Sequence, residues 1–411
     1  MIATVINMKR RDFLQAGLAT SVSLLSAKLW AASESTQQAS SQLDQLTPSP
    51  INGKLQTENA AVINTNQQQS TALHKMLYSA STNKQGINQL SQWSLDSKQA
   101  QHFAIPFRAH DVLPMPDHQR VIAFGRRPEM QCVVVDIQSQ QNTPILATEG
   151  RHFYGHGCLS ADNSTLFTTE NEYDEARGVI GIRDAKTLQV IGEYDTYGVG
   201  PHDIHLMPDG KTLVVANGGI ETHPDYGRRK LNIDTMQPSL AYIDIESGQK
   251  LAEYRLDDHQ LSIRHLSVSD NGDVGVATQF QGDLYRRRPN VLAAWQPYGG
   301  ELEALPIPEQ TTKAIRGYMA DLAFDPKQNL LAVTAPQGNQ LTLWDLKSKQ
   351  LLNTLAIPEP SGISYLAESE CFLVSSAKGG VYEVHANRQT NEISQRLMLS
   401  GIAWDNHLLV V

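Results

Sequence analysis

The stretch GPHDIHLMPDGKTLVVANGG, residues 200–219, decides the fold. It contains a polar start, an alternating strand, a tight turn at Pro208-Asp209-Gly210 and a second, apolar strand, which is the pattern of two antiparallel strands joined by a turn. The unit recurs as RAHDVLPMPDHQRVIAFGRR from Arg108, YGHGCLSADNSTLFTTEN from Tyr154 and IRHLSVSDNGDVGVATQ from Ile263. Weaker copies are YMADLAFDPKQNLLAVTAP from Tyr318, SGISYLAESECFLVSSAKGG from Ser361 and SGIAWDNHLLVV from Ser400. His110, His156 and His202 are 46 residues apart, and His265 follows 63 residues after His202. A mid-forties period built from strands is that of a propeller blade.

Third strands lie between the copies: CVVVDI (132–137), GVIGIRDA (178–185), SLAYIDI (239–245) and LTLWDL (341–346). Outer strands such as QVIGEYDT and QKLAEYRL follow them after short turns, and helical periodicity is nearly absent. Seven first-strand starts predict an all-β, seven-bladed propeller of the WD40/YVTN-like type. Its ring is closed where the C-terminal LSGIAWDNHLLVV joins the N-terminal strands at about 75–106, and closure removes exposed sheet edges. MLYSA and HLLVV both read as second strands, one more than the first strands require, which leaves six or eight blades open.

The chain has 411 residues, 40% of them hydrophobic and 19% charged, so a wholly disordered protein is excluded. Lys+Arg 34 against Asp+Glu 43 gives a net charge of -9, which argues against nucleic acid as a partner because counterion release needs a basic surface. No apolar run reaches about eighteen residues, so the mature protein is expected to have no transmembrane segment. From Met8, MKRRDFLQAGLATSVSLLSAKLWAAS has the basic start, the apolar run Ala16–Leu25 and the small residues around Ala31 and Ala32 of a signal peptide, assigned to residues 1–32. Arg10-Arg11 ahead of Asp12, Phe13 and Leu14 resembles the twin-arginine export motif. The expected location is therefore the periplasm, and loss of residues 1–31 makes the body more acidic, at -12. Residues 33–72, rich in Ser, Gln, Thr and Asn, read as a disordered linker, and 73–411 as the propeller. Cys132, Cys158 and Cys371 form no CxxC pair, which excludes c-type haem attachment and a dithiol redox motif. Buried thiols are the expectation, with a Cys132–Cys158 bridge between neighbouring blades left open.

In a blade, the start of the first strand and the end of the second share one face. That face is expected to gather Arg108, His110, Arg151, His156, His202, Arg264, His265 and Arg316 from first strands, with Arg126, Arg127, Glu170, Asn171, Asn217 and Gln279 from second strands. The surplus in the 63-residue interval falls in GGIETHPDYGRRKLNIDTMQPS, read as a lid bearing Thr222, His223, Arg228, Arg229, Asn232, Asp234 and Met236. The turns Pro116-Asp117, Asp162-Asn163, Pro208-Asp209-Gly210 and Asp270-Asn271-Gly272 lie on the opposite face with structural roles.

Two chemistries suit such a mouth. His156, His202, His265 and Glu170 offer the imidazole and carboxylate donors of a transition metal such as iron or copper, although register differences among the histidines would turn some from the axis. The arginines, with His110, Asn171, Asn217, Thr222, His223 and Gln279, suit a small anionic ligand or a metal chelate; blade-to-blade salt bridges are the alternative use of the arginines. GHG at 155–157 and ANGG at 216–219 read as backbone accommodation near the axis. The motifs GxSxG and HExxH are absent from the sequence.

The blocks RRDFL, RHFYGHG, TTENEYDEARGVIG, GPHDIHLMPDGKTLVVANGGIETHP, KLNIDTMQPSLAYID, LSIRHL and the terminal WDNHL closely resemble a family of bacterial exported propellers, the domain-of-unknown-function family fifteen-thirteen. The resemblance spans most of residues 73–411. It implies a periplasmic propeller whose genes often neighbour imelysin-type iron-uptake genes, hence an iron-uptake protein partner and a part in iron acquisition. It supplies no catalytic residues. The expected function is a binding protein accessory to iron or metal acquisition, with the ligand at the mouth formed by blades 2 to 5. The alternatives are a propeller enzyme, either a lactonase-like hydrolase or a metal-dependent oxidoreductase, and a protein-interaction scaffold.

Overall fold

The computed structural model describes residues 75–411, so the expected signal peptide and linker lie outside the described residues. Seven antiparallel sheets make a seven-bladed β-propeller. Blade 2 runs Ala109–Pro114, Arg120–Gly125, Gln131–Asp136 and Asn142–Leu146 from the axis outward, and blade 3 runs Arg151–Leu159, Thr165–Glu172, Arg177–Asp184 and Val190–Asp195. The inner strands of blades 4 to 7 are Pro201–Leu206, Leu261–Val268, Leu322–Asp325 and Pro360–Leu366. The predicted third strands all sit third from the axis in their sheets. Among the described residues the one α-helix is Glu309–Ile315, and no helix is long and apolar enough to cross a membrane.

Blade 1 resolves the surplus second strand. Met76–Thr82, Asn88–Ser94 and Ala100–Ala104 come from the N-terminal side, and their innermost partner is the C-terminal segment in two pieces, Ala403–Trp404 and Leu409–Val410. Ser81 faces Trp404 and Leu77 faces Val410 across this seam. HLLVV is thus part of an inner strand, and the count is seven.

The hairpin pattern has a direct physical reading. In blade 4, Leu213, Val214, Val215 and Ala216 are completely buried, because a second strand is covered on both faces by adjacent blades and reads as a continuous apolar run. The Asp209 carboxylate accepts the Lys211 and Thr212 amides at 2.8 and 2.9 Å, and Gly210 takes φ +67, the left-handed conformation that closes the turn. Side chains then interleave between blades: Phe124, Cys132 and Val134 of blade 2 pack with Phe153 and Leu166 of blade 3. All three cysteines are free thiols, and burial pushes those of Cys132 and Cys158 well up.

Candidate functional site

Five imidazoles meet on the axis. His110, His156, His202 and His265 come from the inner strands of blades 2 to 5, and His407 comes from the closing segment of blade 1. The expected register conflict is absorbed by β-bulges in the inner strands: pairing shifts between Ala109 and Val112, Phe153 and Gly157, Pro201 and Asp203, and Ile263 and His265. A bulge inserts a residue and re-aims the neighbouring side chains, so all four strand histidines turn inward. Ring centroids lie 4.8 Å apart for His110–His156, 4.7 Å for His202–His265 and 4.6 Å for His265–His407. Gly155 has φ +115, and a Cβ there would stand 2.5 Å from His110 Cδ2, so the first glycine of GHG makes room for a ring.

Carboxylates support this layer from the turn face. His156 Nδ1 is 3.2 Å from both Asp111 Oδ2 and Asp203 Oδ1, and His407 Nδ1 is 3.2 Å from Asp321 Oδ1. Each carboxylate is fixed by backbone amides: Asp111 by Val112, Asp203 by Ile204 and Leu266, Asp321 by Leu322 and Ile363. These carboxylates, with His205, line a cavity of about 490 Å³ open toward the turns. Burial and then neighbouring charge hold His110, His202 and His265 well below the ordinary histidine range. Burial also lowers His407, but Asp321, followed by Asp111 and Asp203, reverses this and raises it to about 9.

On the other side of the imidazoles, the mouth is a cavity of about 280 Å³ walled by Arg126, Arg127, Arg228, Lys230 and Arg264, with Tyr154, Tyr318, Gln279, Gln337 and Asn406. Among the described residues no carboxylate lines it. Arg127 and Arg264 are buried, and Arg264 Nη1 has no hydrogen-bond partner. Burial first and Arg127 second bring Arg264 down to about 10. Arg126 and Lys230 are lowered for the same two kinds of reason. The long loop after Asn217 does lie at this face: Asn232 ties it down through Glu221 N at 2.7 Å and Gly219 O at 2.9 Å, and Arg228 Nη1 donates to Arg127 O at 3.2 Å.

Most of the other expected site residues are used elsewhere. Arg108 makes a two-point pair with Asp405, at 2.5 and 2.9 Å. Glu170 is buried against Arg183 at 3.0 Å, with Arg151 at 3.8 Å, and Arg151 also binds Glu193 at 2.5 Å; Glu170 thus neutralises arginines and stands outside the imidazole layer. Asn171 contacts His152 at 3.4 Å, and Asn217 donates to Thr196 O at 2.9 Å. Thr222 is buried 3.5 Å from the Tyr154 hydroxyl, and His223 sits at the rim, 3.2 Å from Asp174. Arg264 is 3.2 Å from Gln279 within the mouth. Asp111, Asp203, Asp321, Asn406 and His407 were not among the expected residues. The repeated His-Asp dipeptide at 110–111 and 202–203 was the available signal for the first two.

The Glu170 pairing makes a stability prediction. Arg183→Met strands a carboxylate that is 1% exposed, and breaking a buried pair costs about 3–5 kcal/mol. Arg151 remains as a second cation, so the lower end, about 3 kcal/mol, is expected. A urea midpoint in the variant within a few tenths of a molar of the parent would contradict this account.

Comparison with known proteins gives two findings. A family model described as "Protein of unknown function (DUF1513)" matches residues 103–411. A structure from Bacteroides uniformis described as that of a 6-phosphogluconolactonase aligns with a TM-score of 0.56 at 12% identity, covering 82% of this chain and 99% of the other; at that identity the likeness is one of fold. A search of curated proteins returns no match.

Proposed function

The chain belongs to the family described as protein of unknown function DUF1513, and on that footing we propose that it is a binding protein whose channel mouth holds a polyanionic small molecule. One observation carries this reading: Arg126, Arg127, Arg228, Lys230 and Arg264 share a cavity with no described carboxylate. Like charges gathered in a partly desolvated space repel one another, and a bound anion is what turns that repulsion into attraction. Guanidinium groups from separate elements grip carboxylate or phosphate oxygens in two-point contacts. A metal chelate of an organic acid satisfies both the arginines and the imidazole floor. The proposal extends to an accessory role in iron or metal acquisition in the periplasm, supported by the Arg10-Arg11 leader and by the family resemblance.

Calorimetric titration at low salt tests the binding. Citrate, a trianion, is expected to bind in the micromolar range, acetate far more weakly, and both responses should decline steeply as salt rises. Absence of heat and of any melting shift with citrate, inorganic phosphate and a sugar phosphate at low salt would end this reading.

A second reading, a lactonase-like hydrolase, rests on His110 Nε2 and His202 Nε2, 3.2 Å apart at the floor of the cationic cavity. Such imidazoles are placed to deprotonate a water beside a bound anionic lactone. Turnover of a phosphorylated sugar lactone that disappears in His202→Ala supports it; an inert protein across a lactone panel removes it.

A further inference from the structure

We propose that His110, His156, His265 and His407 form one tetrahedral site for a divalent first-row transition ion, midway along the channel. The inference stands on these imidazoles and does not need the anion reading. It differs from the sequence expectation in taking His110 and His407 where His202 and Glu170 were foreseen.

One nitrogen from each of the four rings lies within 4.8 Å of the others. The rings are also aimed. His156 Nδ1 faces Asp111 and Asp203, His407 Nδ1 faces Asp321, and His110 Nδ1 is 2.9 Å from Asn406 Nδ2. The outer nitrogens of His156 and His407 are thereby engaged by carboxylates, which leaves their Nε2 atoms for the interior; His110 Nδ1 accepts from the Asn406 amide while its Nε2 lies 3.2 Å from His202 Nε2, and His265 Nδ1 is buried without a partner. His156 Nε2 and His407 Nε2 are buried with no hydrogen-bond partner. Buried polar atoms are nearly always satisfied, so a convergent pair left free points to something that binds there. Carboxylates on the far nitrogen, as at His156 and His407, are the usual outer support of metal-bound histidine, fixing tautomer and ring angle.

The spacing agrees. With a metal–nitrogen distance of about 2.0–2.1 Å, ring centres stand about 3.2 Å from the ion, and tetrahedral geometry puts them about 5.2 Å apart. The six centroid distances within the tetrad run from 4.6 to 5.5 Å. Four imidazole donors select ions of borderline softness such as Zn²⁺, Co²⁺ or Cu²⁺. The negative charge that offsets the ion comes from Asp111, Asp203 and Asp321. Those same residues face the larger cavity at the turn face, an approach for a cation separate from the arginine-walled mouth.

The test uses the full chain, stripped with a chelator and titrated with Co²⁺. The expected result is one ion per chain with the intense visible absorption of tetrahedral cobalt, displaced by Zn²⁺. His265→Ala and His407→Ala should each weaken Co²⁺ binding at least about 100-fold. Asp321→Asn, which acts by positioning His407, should weaken it about 10-fold and shift the absorption band while one ion still binds. Circular dichroism and a cooperative melt establish that each variant folds; should His407→Ala fail there, His265→Asn carries the ligand test. Weak octahedral absorption, a stoichiometry far from one, or a tetrahedral spectrum preserved in the folded histidine variants would overturn the proposal. Arg127→Met/Arg264→Met should keep the cobalt spectrum, so failure of anion binding and failure of the metal site are told apart.

Discussion

Replacing Arg127 and Arg264 together by methionine is expected to lower affinity for citrate about 1,000-fold while making the anion-free protein harder to unfold. Both side chains are buried, with 6% and 7% of their surface exposed. A hydrogen bond to a charged group is worth roughly 1.5–3 kcal/mol; two at about 2 kcal/mol each, at 1.4 kcal/mol per decade, give about three decades. The gain in stability has the opposite origin. Arg264 holds a positive charge in the interior with one nitrogen unpartnered, and such a charge opposes folding by several kcal/mol. Methionine keeps much of the apolar stem, so removal of the charges should raise the unfolding free energy by about 1–3 kcal/mol. The Arg127 guanidinium sits 5.5 Å from the Tyr154 ring centre, and losing that contact subtracts about 0.5–1 kcal/mol.

The comparison reverses when anion is added. At a ligand concentration 100 times Kd the parent gains about 2.7 kcal/mol, and the variant gains almost nothing. Urea melts with and without citrate should therefore cross: variant above parent without anion, parent level with or above variant with it. A variant less stable than the parent in both conditions would mean that the arginines serve the fold.

Deleting residues 402–411 is expected to abolish cooperative folding. The segment supplies the inner strand of blade 1, and Met76 and Val411 exchange backbone hydrogen bonds at 2.9 and 3.0 Å across it. Trp404 and Leu408 are buried with Leu77, Trp93, Cys371, Leu373 and Val381 between blades 7 and 1. Removing a buried tryptophan costs about 3–5 kcal/mol and a buried leucine about 2–5 kcal/mol. Together these approach the whole stability of a typical domain, about 5–15 kcal/mol, before the bared edge of Met76–Thr82 is counted, which invites aggregation. The predicted observation is a truncated chain in aggregates, or one whose fluorescence melt has no sharp transition. A soluble truncated chain melting within a few degrees of the parent would show that the ring does not depend on this seam.

The propeller was legible because each blade repeats the same physical problem. A strand that faces the channel, a turn and a strand covered on both faces leave an imprint of composition, and His110, His156 and His202 return at equal spacing. The same logic placed Arg126, Arg127, Arg264 and Gln279 at the mouth, where they are found. It failed for Arg108, Arg151, Glu170, Asn171 and Asn217 because a strand has two sides. Residues at the right height along a blade can turn to a side chain of their own sheet, as Glu170 does toward Arg183 on the next strand of blade 3. His407 was hidden for another reason: WDNHLLVV has the composition of a covered strand, and only its pairing with Met76–Thr82 puts it on the axis.

The amino-acid order alone determined the recurrence of the hairpin unit, the polarity of the turn face and the cationic, imidazole-rich character of the opposite one, since these follow from period-two burial and turn chemistry, which are local. Which nitrogens converge, and which charges are already neutralised, was decided by the closed ring. The inner-strand bulges lie within single hairpins, but the rings they aim, like the contact of the last residues with the first described strand, come from segments far apart in the chain, and ring closure is the constraint that brings them together.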